Sequence, residues 1–229
     1  MIAIKYILES FHEILQHEKI LWNSDNLIAA RIIHKGSKKP HLRKIAFDIF
    51  ELCLKYDIII ITKWIPRALN DVADNISKSI DTDDWTIDFE TFNYVQQNFG
   101  NFTVNRFASD SNNKVEKFNS KFYCPTTKGV NAFTFDWSKE FNWLCPPISL
   151  VGACINHLKS CKGRGVLLVP RWESAFYWPL LTPNGDIFYD FVKHVLCLQP
   201  FYISPVKNSI FKGFAPFITL ALYLDFVES

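Results

Sequence analysis

Residues 57–64 read Asp57-Ile58-Ile59-Ile60-Ile61-Thr62-Lys63-Trp64. Four successive β-branched side chains are stiff at χ1 and favour an extended backbone. The run is continuous rather than alternating, which suits a strand buried on both faces of a parallel sheet. Parallel strands need crossover connections, so helices are expected on either side. The flanks supply them. Ile4, Ile7, Leu8, Phe11, Ile14 and Leu15 recur at helical spacing, predicting a helix over 2–17. Residues 19–24 form a short strand candidate. A second helix covers 27–34, with Asp25 or Asn26 as its cap and Gly36-Ser37 as its end. Pro40 opens a third, in which Ile45, Ile49, Leu52 and Cys53 line one side. Residues 68–79 follow the isoleucine strand as a last helix. The order helix, strand, helix, helix, strand, helix is that of an α/β layer.

Beyond an acidic break at Asp81–Asp84 the composition changes. Asp83 or Asp84 is expected to cap a helix running to Asn98, and Gly100 starts a zone rich in Phe, Trp and Asn. Helices are expected at 150–160 and 187–196, and strands at 102–107, 165–170 and 217–226. The resulting division is 1–82, a connecting helix at 83–98, and 99–229. At 229 residues, with 48% hydrophobic and 16% aromatic side chains, the chain has the material for packed cores and little tendency to disorder.

The net charge of +2 says less than its distribution. Arg31, Lys35, Lys38, Lys39, Arg43 and Lys44 share one stretch without an acid, flanked by His34 and His41. Such a stretch can follow a phosphate backbone, or can simply be a solvated face. The six cysteines form no CxxC pair and no zinc-like pattern with histidine, so they read as reduced, mostly buried thiols. No secretory signal opens the chain, and the apolar tail is interrupted by Lys212, Gly213 and Pro216. The expectation is an intracellular protein, cytoplasmic or nuclear, with no membrane span. The sequence leaves the oligomeric state open.

Two partial sites stand out. Asp25 ends the first strand candidate and Asp74 opens the last helix of the first half. Taken alone, they are either two helix-capping aspartates or two carboxylates sharing a divalent cation. The series Trp22-Asn23-Ser24-Asp25-Asn26, Gly36-Ser37-Lys38-Lys39-Pro40 and Trp64-Ile65-Pro66-Arg67, continuing through Asn70, Ala73-Asp74 and Ser77, resembles the ribonuclease H region of DIRS-type retrotransposon reverse transcriptases. That resemblance implies a partial ribonuclease H-like layer lacking its N-terminal hairpin. Asp25 and Asp74 would match the two later members of a four-carboxylate set holding two Mg²⁺ ions, with the earlier two falling before Met1. Two carboxylates hold Mg²⁺ weakly, so a weak or absent metal site and little or no cleavage are expected. Arg31, Lys35, Lys38, Lys39, Arg43, Lys44 and Arg67 would contact an RNA–DNA hybrid or DNA.

The second partial site is Asn142-Trp143-Leu144-Cys145-Pro146-Pro147-Ile148-Ser149, followed by a helix and Gly165-Val166-Leu167-Leu168-Val169-Pro170. This order resembles Dam-like adenine-N6 methyltransferases, which implies a smaller, degenerate Rossmann-like second domain. In that family a polar residue before Pro-Pro accepts from the target amine and an aromatic after it stacks on the flipped base. Here Cys145 and Ile148 hold those positions. Asn105 stands where a strand of the family usually carries Asp, and no glycine-rich cofactor loop is visible near it. Cys145, Pro146 and Pro147 are therefore read as a degenerate methyltransferase turn, and the departures weigh against S-adenosylmethionine. Trp172, Phe176, Tyr177 and Trp178 are either a stacking platform for bases or, the preferred reading, core. The leading expectation is a retrotransposon-derived, nucleic-acid-binding ribonuclease H remnant. The alternatives are an adenine-N6 methyltransferase-like domain with an altered turn and a non-enzymatic nucleic-acid module.

Overall fold

The computed structural model describes residues 1–71, 73, 85–185, 187–198, 202–204, 213–214 and 217–227. The chain divides into two compact units, Met1–Ser79 and Ile80–Ser229.

In the first unit α1 (Ile2–Leu15), β1 (Lys19–Ser24), α2 (Leu27–Lys35), α3 (Pro40–Tyr56) and β2 (Ile59–Trp64) follow in order. The local signals read from the sequence act as expected. The Asn26 side chain accepts the Ala29 amide at 3.0 Å and caps α2. Gly36, at φ 71°, stops that helix, since a Cβ would be strained there. Pro40 begins α3. Strands β1 and β2 pair in parallel with Lys19 opposite Ile59 and Ser24 opposite Trp64. Ile4 and Leu8 of α1 meet Ile49 and Leu52 of α3 together with Ile58, and that cluster is the unit's core.

One expectation is corrected. The isoleucine run is not buried on both faces: Ile58 is 5% exposed, but Ile59 is 58% and Ile61 38% exposed. Among the described residues this sheet has two strands. The helices cover one face and leave Leu21, Ile59 and Ile61 open on the other. The predicted helix over 68–79 lies mostly outside the described residues, and its first part, Arg67–Leu69, is a 3₁₀ turn.

The second unit contains β3 (Thr86–Ile87), α4 (Phe89–Phe99), β4 (Val104–Asn105), β5 (Phe141–Leu144), α5 (Val151–Ser160), β6 (Arg164–Pro170), β7 (Val192–Leu198), β8 (Tyr202–Ser204), β9 (Gly213–Phe214) and β10 (Thr219–Asp225). Its main sheet runs β4-β5-β6-β10-β7. Strands β4, β5 and β6 are parallel, and β10 is antiparallel to both β6 and β7. Parallel bridges Asn105–Phe118 and Ser120–Val130 extend the order beyond β4. A small antiparallel sheet, β3-β8-β9, accompanies it.

Strand alternation sends side chains to two cores. Leu144, Leu167, Val169, Leu222 and Leu224 join Val151, Cys154, Ile155 and Leu158 of α5. Trp143, Cys145, Val166, Leu168 and Ala221 join Phe92 and Val95 of α4. A sheet with helical cover on both faces is the doubly wound α/β arrangement. Gly165 permits the close β5–β6 approach, because a Cβ there would lie 2.5 Å from the Asn142 carbonyl oxygen.

Two predicted elements differ. Residues 187–196 do not form a helix: Val192–Leu198 is a strand, held by pairing with β10. Asp88, rather than Asp83 or Asp84, caps α4, accepting the Thr91 amide at 2.7 Å. Residues 83 and 84 lie outside the described residues. All six cysteines are free thiols, but they are not mostly buried as expected: Cys145 and Cys154 are buried, Cys53, Cys124 and Cys161 half-buried, and Cys197 exposed.

Candidate functional site

Open α/β sheets bind ligands beyond the carboxyl ends of their parallel strands. In the second unit those ends are Asn105 on β4, Leu144 on β5 and Pro170 on β6. The turn after β5 is Cys145-Pro146-Pro147, followed by a 3₁₀ turn at Ile148–Leu150 and then α5. Two fixed prolines leave this turn little backbone freedom. The Trp85 indole N–H donates to the Pro146 carbonyl at 2.9 Å in a buried contact. The Cys145 Sγ lies 3.6 Å from the Trp85 carbonyl oxygen. Cys145 is 4% exposed and packs in the α4-side core with Trp85 and Trp143. A thiol held there accepts only weakly and is turned away from solvent.

On β4, Asn105 is buried and its side-chain oxygen accepts the Phe107 amide at 3.4 Å. Next to it Arg106 is buried in a network of neutral partners. Its Nε donates to Asn142 Oδ1 at 2.7 Å and its Nη1 to Asn119 Oδ1 at 2.8 Å. The guanidinium also lies 5.3 Å from the centroid of the Trp137 ring. Burial lowers its pKa to about 10, while Glu140, Cys161 and Asp136 oppose the shift. The Asn142 amide donates to the carbonyls of Trp137, Glu140 and Arg164. Arg106 and Asn142 thus tie β4, β5 and β6 together behind the site. Asn142 opens the motif stretch quoted above without a role being read for it, and Arg106 had none either, since a lone Arg beside a strand has no sequence signature.

Lys114, in the loop after β4, was also missed. Its ammonium sits 4.3 Å from the centroid of the Phe89 ring. Burial lowers its pKa, while Cys145 and Asp88 pull it back upward. Past β6, the Tyr177 hydroxyl donates to the Pro170 carbonyl at 2.8 Å, and burial raises its pKa. Of the aromatic group expected to be core, Tyr177 and Trp178 are buried and Trp172 is half-buried against Phe217. Phe176 differs, at 60% exposure.

A dinucleotide-like cofactor is ordinarily held by a glycine-rich loop running into a helix N-terminus after the first strand. Here residues 106–117 are turns, bends and irregular backbone without helix, and they contain no glycine. Those residues do not fit such a cradle.

In the first unit Asp25 is exposed just past β1, and its carbonyl accepts the Trp64 indole N–H at 3.1 Å. Asp74 lies outside the described residues, so the expected meeting of the two carboxylates falls there too. Among the described residues no group of three His, Cys, Asp or Glu side chains could hold a metal ion. Arg31, Lys35, Lys38, Lys39, Arg43, Lys44 and Arg67 are all exposed.

The family model for DNA N-6-adenine-methyltransferase (Dam) matches residues 61–189. The match spans more than half of the sequence, and the chain belongs to that family. It takes in the Cys145-Pro146-Pro147 turn, β4, β5 and β6, and it begins inside the stretch that resembled a ribonuclease H. No curated protein matches the chain, and nothing supports the ribonuclease H or retrotransposon resemblance. Family membership implies DNA as the partner and S-adenosylmethionine as the family's methyl donor. Among the described residues no helix is long and apolar enough to cross a membrane.

Proposed function

We propose that this protein is an adenine-N6 DNA methyltransferase-like domain with an altered catalytic turn, which binds DNA without transferring a methyl group. The observation that carries this reading is the turn after β5. It stands at the carboxyl end of a central parallel strand, inside the family match, but its Cys145 is buried under Trp85 instead of facing a base. The segment directly after β4 supports the same reading, because residues 106–117 offer neither glycine nor helix N-terminus to a cofactor. DNA binding asks less of the fold than methyl transfer. It needs cationic side chains on the surface, and Arg31, Lys35, Lys38, Lys39, Arg43, Lys44 and Arg67 supply them.

The test combines two measurements on the full chain. Fluorescence anisotropy with adenine-containing DNA should show binding that weakens steeply between low and moderate salt. Calorimetry with S-adenosylmethionine should show no heat, and no labelled methyl should enter the DNA. Stoichiometric cofactor binding with methyl incorporation would restore the active-enzyme reading. Absence of DNA binding would remove this one.

A second reading concerns the first unit alone. We infer it from the sequence resemblance to a ribonuclease H layer of a retrotransposon polyprotein, with which a parallel β1–β2 pair and Asp25 directly past β1 are compatible. On that reading the chain binds RNA–DNA hybrid without cleaving it in Mg²⁺, and binding survives Asp25→Asn and Asp74→Asn. Cleavage that both substitutions abolish would instead mean a complete two-metal site.

A further inference from the structure

Phe176 is the one member of its aromatic group that the core does not claim. Its neighbour Tyr177 is fully buried and anchored through its hydroxyl to the Pro170 carbonyl at the end of β6. The Phe176 ring stands edge-to-face on Tyr177, with centroids 5.5 Å apart and planes at 82°. It also lies over Gly152 in the first turn of α5, where a Cβ would come within 3.4 Å of its Cε2. A Cβ at 152 would already touch the ring beside the helix that follows the Cys145-Pro146-Pro147 turn, so a branched side chain there would displace it. Despite these supports the ring is 60% exposed. A large apolar surface held in one orientation by a buried anchor is a stacking platform for a nucleic-acid base.

The turn itself lacks such a platform. Ile148 occupies the position after Pro-Pro, is half-buried against both cores, and has no π-face. The loop after β6 therefore provides at Phe176 what the turn after β5 does not.

We propose that Phe176 stacks on an unpaired base of bound DNA at the carboxyl ends of β5 and β6. This rests on the reading that the protein binds DNA. The experiment measures anisotropy of a labelled adenine-containing single strand with the full chain and with Phe176→Ala, Phe176→Trp and Gly152→Val. Phe176→Ala is expected to weaken binding about tenfold or more. Phe176→Trp should bind as well as the unaltered chain, and Gly152→Val should weaken binding by displacing the ring. Because Phe176 is exposed, Phe176→Ala should keep the thermal transition of the parent, and the comparison is made at matched folded fraction. A strand with an abasic site in place of each adenine in turn should lose the difference between Phe and Ala at one position. Equal affinity for the Phe176→Ala and parent proteins overturns the stacking role while leaving DNA binding in place. Absence of binding by the parent protein overturns both.

Discussion

The two sheets of this protein are built from similar strands and end up in different environments. Strand β2 and strand β6 each carry a continuous run of branched aliphatic residues, 59–61 and 166–169. In β6 six of seven residues are buried, because α4 packs on one face, α5 on the other, and β5 and β10 occupy both edges. In β2 none is buried, because the described sheet stops at two strands and helices cover one face only. A run of isoleucines states a preference for an extended, dry environment, and its neighbours decide whether that environment exists.

The contrast can be broken by substitution, and the largest effect is expected in the second unit. Trp143→Ala removes a buried ring in contact with Phe92 and Phe102. It should cost about 3–5 kcal/mol in a denaturant melt. A loss below about 1 kcal/mol would mean that the α4-side core is not close-packed. Arg106→Met leaves the Asn119 and Asn142 side-chain oxygens without their donor. A loss of about 1–3 kcal/mol is expected, and a neutral result would show that water replaces the guanidinium.

The pH dependence follows from Tyr177. Burial raises its pKa above the ordinary value of about 10. Below that pH both folded and unfolded chains keep the proton and the full stability is present. Above it the unfolded chain ionises first, so stability falls by up to about 1.4 kcal/mol per pH unit. Tyr177→Phe should remove that part of the alkaline slope in melts between pH 9.5 and 11.5.

In the first unit the effects should be smaller. Asn26→Ala removes the α2 cap and should cost about 1 kcal/mol. Ile59→Thr, on the open face, should change stability by less than about 0.5 kcal/mol. If Ile59→Thr destabilised the protein by 2 kcal/mol or more, that face would be covered in solution and the contrast between the sheets would vanish.

Much of the local structure was legible in the residues. Asn26, Gly36 and Pro40 mark helix ends through hydrogen bonding, φ preference and a missing donor, all of which act within a few residues. The expected strand at 217–226 holds β10, and the helix expected at 150–160 became α5. Residues 187–196 misled because Val192, Val195 and Leu196 fit helical spacing as well as a strand, and only pairing with β10 settles the choice. The turn at Cys145 was legible as a motif. The Trp85 contact that buries it joins residues sixty apart and was not.

The sequence by itself determined the order of helices and strands in the first unit up to the isoleucine strand, the parallel pairing of that strand, and the altered residues of the turn. These depend on intrinsic backbone preferences and short-range spacing. Tertiary structure alone decided that Ile59 faces solvent, that Arg106 lies buried among asparagines, that Cys145 is covered, and that Phe176 stands clear of the core. Exposure is set by which distant segments arrive at a surface, and no residue carries that information in its own side chain.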